Sequence, residues 1–128
     1  MRSGNNDTTS ASSRSARGQA AEALAAGFLQ GRGLTVVARN FRVRGGEIDL
    51  VCRDGKTLVF VEVRLRTNTG YGGAGASITA AKRARLILAA RHYLLGKPAC
   101  DCRFDCILLD RLDPAAIEWI RDAFSADA

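Results

Sequence analysis

With 128 residues, 47% of them apolar and 25% charged, the chain suffices for one domain around one core. No apolar run approaches the ~18 residues of a membrane-spanning helix. The opening MRSGNNDTTSASSRSARGQ lacks the apolar stretch of a secretory signal, so a cytoplasmic location and no membrane partner are expected. Nineteen Lys and Arg against 13 Asp and Glu leave a formal charge of +6, which suits a polyanion such as nucleic acid without requiring one.

Residues 1–16 are rich in Ser, Thr, Asn and Gly and read as a disordered tail. The folded domain is expected over 17–124, followed by a short tail at 125–128. From Gly18 to Gly31 the pattern is helical: Ala21, Leu24, Ala25 and Phe28 share a face, and the alanines permit close approach to a sheet. Glu22 lies at the edge of that apolar arc, where its carboxylate could reach into a cleft. A strand is expected at about 34–38, with a bend at Arg39-Asn40.

The strongest pattern comes next. Residues 47–53 and 56–66 alternate strictly, and Asp54-Gly55 between them is a two-residue hairpin signal. With that loop, Arg53 faces Lys56, Val51 faces Leu58, Asp49 faces Phe60 and Glu47 faces Glu62. Ile48, Leu50, Val59, Val61, Val63 and Leu65 then form an apolar core side. The other side begins with Val51, Leu58 and Phe60 and passes into Glu47, Asp49, Glu62, Arg64 and Arg66. Opposed residues lie about 5 Å apart and diagonal ones about 7–8 Å, and opposed like charges destabilise a sheet. Three converging carboxylates therefore call for cations. Arg64 and Arg66 supply part of the charge; Mg²⁺, typically held by one or two carboxylates plus phosphate oxygens, would supply the rest. A solvated face of Glu–Arg pairs is the alternative.

A Gly-rich loop runs through Gly70, Gly72, Gly73 and Gly75. A long helix is expected from about Ser77, as N-cap, to Leu95, ended by Lys97-Pro98. Lys82, Arg83 and Arg85 in its first turns oppose the helix dipole; phosphate contact and a plain solvated face both fit, the latter more simply. His92 reads as an ordinary helix residue and Trp119 as core. Residues 103–109 read as a strand, and the segment around Ile117–Arg121 fits strand and helix equally. Cys52, Cys100, Cys102 and Cys106 are expected to be reduced thiols. The spacing Cys100-x-Cys102-xxx-Cys106 lacks the paired form of common zinc sites, and Cys106 alternates with Phe104 and Leu108 as a buried strand cysteine does.

Gly-Gly-Glu47-Ile-Asp49-Leu-Val followed by Val59-Phe60-Val61-Glu62-Val63-Arg64 resembles the bacterial UPF0102, or YraN-like, family. The resemblance extends upstream to Gly18-xxx-Glu22-xx-Ala25-xx-Phe28-Leu29 and Arg39-Asn40, and downstream to Lys82, Tyr93-Leu94 and Arg103-Phe104-Asp105. That family is similar in fold to the restriction-endonuclease and Holliday-junction-resolvase class, the PD-(D/E)xK nucleases. The resemblance implies an α/β three-layer fold, a mixed central sheet flanked by helices. It implies Asp49 as the motif aspartate, Glu62 as the motif acid and Glu22 as the helix glutamate that joins the metal site, with Glu47 a nearby carboxylate of less certain role. It also tips the segment around Ile117 toward a strand.

Arg64 stands where many of these nucleases carry Lys. Arginine stays charged and cannot act as a base, though it can clamp phosphate. The leading expectation is Mg²⁺- or Mn²⁺-dependent hydrolysis of phosphodiester bonds in DNA, branched or junction DNA included. Asp49, Glu62 and Glu22 would hold the metal, and Arg64, Arg66, Tyr71, Lys82 and Arg85 would meet the nucleic acid. The Gly-rich loop around Tyr71 would close over the substrate, unless it is a plain flexible loop. A non-catalytic nucleic-acid-binding module on the same fold, and a protein-interaction domain with a structural ion-pair cluster, are the rivals. Oligomeric state stays open, although junction resolvases of this fold act as homodimers.

Overall fold

The structure, a computed structural model, describes residues 16–66 and 78–126. The expected N-terminal tail, the Gly-rich loop with Tyr71, and Ser77 lie outside the described residues, apart from Ala16. Helix α1 spans Ala16–Gly31 and buries Ala21, Glu22, Ala25, Ala26 and Leu29. Its buried stripe is therefore turned slightly from the one expected: small alanines face the sheet, while Leu24 and Phe28 flank the contact. The chain leaves the helix through a tight turn in which the Arg32 and Leu34 N–H groups both donate to the Leu29 carbonyl.

Strand β1, Thr35–Val43, runs through the expected bend. The register shifts between Val36 and Ala38, and Asn40 takes a left-handed φ of 53° within the strand. Asn tolerates that conformation better than most residues, so Arg39-Asn40 twists β1 without ending it. Strand β2, Gly46–Asp54, follows a tight turn and pairs antiparallel with β1. Strand β3, Thr57–Leu65, pairs antiparallel with β2.

The hairpin between β2 and β3 corrects the expected register. Asp54 pairs with Thr57, so Gly55-Lys56 forms the loop, and Gly55 takes the positive φ of 62°. Asp54 is held in the ladder by Arg103, whose Nη1 lies 2.9 Å from its carboxylate. Each β2 residue from Leu50 to Asp54 therefore meets a partner two places further along β3 than expected: Val51 faces Phe60, and Leu50 faces Val61. Faces are preserved by a two-place shift, but neighbours change. Continued one rung past the Leu50–Val61 pair, where the ladder stops, this register brings Asp49 rather than Glu47 opposite Glu62.

Helix α2, Ala80–Leu94, crosses from β3 to the parallel strand β4, Cys102–Leu109. A short 3-10 turn at Pro114–Ala116, capped by Asp113, leads into β5, Ile117–Phe124, antiparallel to β4. The segment around Ile117 is thus a strand. The sheet order is β1-β2-β3-β4-β5. On one face α1 covers Leu50, Cys52, Val59, Val61, Ile107 and Leu109. On the other, Leu86, Ala89 and Ala90 of α2 pack on Val51, Leu58, Phe60 and Phe104. These are the three layers of a restriction-endonuclease-like fold.

Ile48 departs from the expected core side. It packs with Val51 and Leu86 beneath α2 instead of joining Leu50 beneath α1. At this end β2 presses directly on the helix: a Cβ at Gly46 would lie 2.7 Å from the Arg85 carbonyl oxygen and 3.0 Å from the Ala89 nitrogen. The strand end that carries Glu47 and Asp49 is therefore pinned against the first half of α2. Cys52 and Cys106 are buried, whereas Cys100 and Cys102 are exposed. Among the described residues no helix is long and apolar enough to cross a membrane.

A buried polar network ties β5 to β4. Asp105, only 1% exposed, accepts hydrogen bonds from Arg103 Nε at 3.0 Å, Trp119 Nε1 at 2.9 Å and the Asp122 N–H at 2.9 Å. Trp119 also meets Phe28 edge-on, so it is a structural residue, as its sequence pattern implied.

Candidate metal and phosphate site

Asp49 on β2 and Glu62 on β3 are 6% and 7% exposed, at the mouth of the gap between the sheet and α2. Asp49 Oδ2 accepts the N–H of Val63 at 2.9 Å. A side-chain bond thus takes over where the backbone ladder from Asp54–Thr57 to Leu50–Val61 stops, and it fixes the Asp49 carboxylate beside Glu62.

Lys82 completes the group. Thr79 is the N-cap of α2, and its Oγ1 accepts the Lys82 N–H at 3.1 Å. With the first helical turn fixed in this way, Lys82 Nζ reaches Glu62 Oε2 at 3.1 Å. A solvated helix face was the simpler expectation for Lys82, and the structure places it instead at the centre of the site. Its position against the helix dipole was the available signal. Arg83 is occupied elsewhere, donating to the Ile78 carbonyl at 2.9 Å.

One lysine does not neutralise two adjoining carboxylates. Burial, and then the charge of Asp49, push Glu62 up to about 7, against the lowering effect of Lys82. Cys106, directly across from Glu62 on β4, offers no positive charge: burial, with Glu62 next in effect, pushes its thiol up to about 12.

Two cavities meet at Glu62 and Lys82. The first, of about 190 Å³, is lined by Glu47, Asp49, Glu62, Lys82 and Arg85 together with Val63 and Leu86. At ~30 Å³ each, it has room for several waters. The second, of about 440 Å³, opens beside Arg17, Gly18 and Arg64. Glu47 joins the first cavity from a half-exposed position, its carboxylate 3.7 Å from Arg42 Nε.

Two residues stand apart from the expected constellation. Glu22 is buried in α1, one turn beyond Gly18, and is not among the residues lining either cavity. Arg66 is drawn away to the strand ends, with Asp110 at 2.8 Å and Glu118 at 3.7 Å from its Nη2. The sequence offered no sign of partners so distant.

Among the described residues no three His, Cys, Asp or Glu side chains form a ready-made ligand set. The donors that fit a divalent ion are the carboxylates of Asp49 and Glu62. Two buried, adjoining carboxylates beside an open cavity suit a hard cation whose other ligands are water or phosphate oxygens.

The model of the Uncharacterised protein family UPF0102 matches residues 21–109. The chain belongs to the UPF0102 family. A UPF0102 protein of Dechloromonas aromatica is 65% identical over 122 residues, covering 95% of each chain. One from Methylobacillus flagellatus is 58% identical over 109 residues, 85% of this chain and 96% of the relative. One from Nitrosospira multiformis is 53% identical over 112 residues, 87% and 94% of the two chains. The match to the family model takes in α1 from Ala21, the Asp49–Glu62 hairpin, α2 and β4, and so spans every side chain that forms the first cavity.

Proposed function

We propose that this UPF0102 protein is a metal-dependent endonuclease that hydrolyses phosphodiester bonds of DNA in the cytoplasm. The observation that carries the reading is the buried, adjoining Asp49–Glu62 pair, whose burial and mutual repulsion push Glu62 up to about 7, beside a cavity edged by Lys82 and Arg85. Asp49 and Glu62 would hold Mg²⁺ or Mn²⁺. When bound, such an ion activates a water molecule and offsets charge on the scissile phosphate.

The protein's own groups supply the rest. The Val63 N–H and the Thr79 cap hold Asp49 and Lys82 in place before any substrate arrives. Lys82 sets an ammonium against the motif acid from α2, where the PD-(D/E)xK pattern would have placed it two residues after Glu62. Arg64 occupies that position and faces the second cavity, where it can clamp a phosphate but cannot take a proton. Glu47 remains beside the site as a further carboxylate, and Glu22 acts from within the α1 layer by steadying the fold around it.

The test is a panel of duplex, branched and single-stranded DNA incubated with Mg²⁺, Mn²⁺ or chelator. Cutting is expected only with metal. Asp49→Asn and Glu62→Gln should each reduce it by a factor on the order of 10² or more, and residual cutting by both variants would assign the activity to a contaminant. A non-catalytic nucleic-acid-binding module is the second reading. Arg64 favours it, and binding without cutting under every metal condition would establish it.

A further inference from the structure

We infer that the β1–β2 hairpin and the adjoining turn of α2 form a cationic arm that holds the phosphate rows of a double helix, rather than a single strand, against the site. This rests on the nucleic-acid reading of that site. Residues 39–46, Arg39-Asn-Phe-Arg42-Val-Arg44-Gly-Gly46, carry three arginines and no carboxylate. They alternate in the structure: Phe41 and Val43 pack against the core beneath α2, while Arg42 and Arg44 are exposed. Phe41 meets Tyr93 of α2 edge-on at 5.2 Å. The hairpin tip is seated on the same helix, since a Cβ at Gly45 would lie 3.2 Å from Leu88 Cδ2 and one at Gly46 would strike the Arg85 carbonyl. The arm is thus anchored along its apolar edge and presents its charge outward.

The anchoring places the arm beside the first cavity. Arg85, exposed on α2, lines that cavity, and Arg42 reaches its Glu47. Arg44 and Arg85 have no carboxylate partner among the described residues. Two cations left free on a braced hairpin and helix match a repeating polyanion.

The described aromatic residues argue against a single strand. Proteins that hold single strands stack the bases on exposed rings. Among the described residues, Phe28, Phe41, Phe60, Tyr93, Phe104, Trp119 and Phe124 all pack ring against ring, and none is exposed. What the described surface offers is charge without stacking platforms, the means of gripping a duplex by its backbone.

The experiment measures binding of fluorescent duplex DNA, duplex RNA and the matching single strands, in chelator and in Ca²⁺, across a salt series. The duplex is expected to bind about tenfold or more tightly than its single strands, and the tighter of the two duplexes identifies the backbone preferred. Arg44→Glu combined with Arg85→Glu should weaken duplex binding at least about tenfold and lower the slope against log salt by about two. The remote pair Arg32→Glu with Arg111→Glu carries the same change of net charge and should stay within about twofold of wild type. Arg44→Gln with Arg85→Gln, checked for an unchanged melting temperature, should lose binding in the same direction. Single strands bound as tightly as duplex, or duplex binding indifferent to Arg44 and Arg85, would overturn the arm. Cutting with metal is scored on the same oligomers. Cutting without dependence on the arm defeats this inference alone, whereas arm-dependent duplex binding without cutting defeats the nuclease reading alone.

Discussion

Two buried carboxylate clusters sit on neighbouring strands of one sheet, and they are built to opposite rules. Asp105 accepts from a guanidinium, an indole and a backbone N–H, and Arg103 in turn bridges to Asp54. The cluster is supplied with donors from within the fold. Asp49 and Glu62 are almost as buried, yet they stand side by side, and burial with mutual repulsion holds Glu62 near 7 against the pull of Lys82 at 3.1 Å. A buried carboxylate with its donors in place serves the fold; a buried carboxylate pair whose repulsion outweighs its neighbouring lysine suits a further cation.

The largest expected difference between the two clusters is in stability. Asp105→Ala strands the Arg103 guanidinium, which already has a buried, unpartnered Nη2, and frees β5. Losing one partner of such a pair costs on the order of 3–5 kcal/mol, read as a fall in the denaturant midpoint with little change in slope. Asp49→Asn should do the reverse in chelator and leave the protein as stable as wild type or more so. A comparable loss from both substitutions would mean that the two clusters are alike, and the comparison would collapse.

A pH series sharpens the same contrast. The Glu62 pKa rises from an ordinary 4.5 to about 7 on folding, so between those values the folded chain keeps a proton that the unfolded chain has released. The contribution to stability is complete below 4.5 and is lost as pH climbs through 7. In chelator, wild-type stability should therefore decline across that window by about 3 kcal/mol. Glu62→Gln should flatten the decline, and an equally steep curve in that variant would remove Glu62 as its source.

Lys82→Met is expected to have the smallest effect. The lysine lowers the Glu62 pKa, so removing it should move the midpoint of that decline upward in pH by a fraction of a unit to about one unit. A midpoint that stays put would show that the 3.1 Å ion pair carries little energy in solution.

How far the two clusters could be read from sequence differs for a physical reason. The Asp49–Glu62 cluster announces itself locally: strict alternation around Asp54-Gly55 gives two strands, and Glu47, Asp49 and Glu62 fall on one face by period alone. The layering of helices on that sheet also follows from alternation and from the resemblance of the motifs. The exact neighbours do not. Arg103, far along the chain, draws Asp54 into the ladder and moves the loop by one residue, and the register so set brings Asp49 rather than Glu47 toward Glu62. Asn40 looks like a bend and is a left-handed residue inside a strand whose residues before and after it pair with β2. Lys82 and Arg66 change neighbours for the same reason. Local pattern puts the first on a solvated helix face and the second on the acidic face, but the crossover of α2 carries Lys82 to Glu62, and the ends of β4 and β5 pair with Arg66. Long-range ion pairs leave no trace in a local period.

The most direct measurement is thermal melting of wild type and Glu62→Gln in chelator and in excess Mg²⁺ or Mn²⁺, at a pH above 7. Without metal the variant should melt at or above the wild-type temperature, because the neutral amide relieves the repulsion from Asp49. With metal the order should reverse, since a ligand at ten times its Kd adds about 1.4 kcal/mol only to the protein that binds it. A wild-type melting temperature unmoved by either ion, together with a clearly less stable variant in chelator, would contradict the account: Asp49 and Glu62 would then belong to a structural ion-pair cluster.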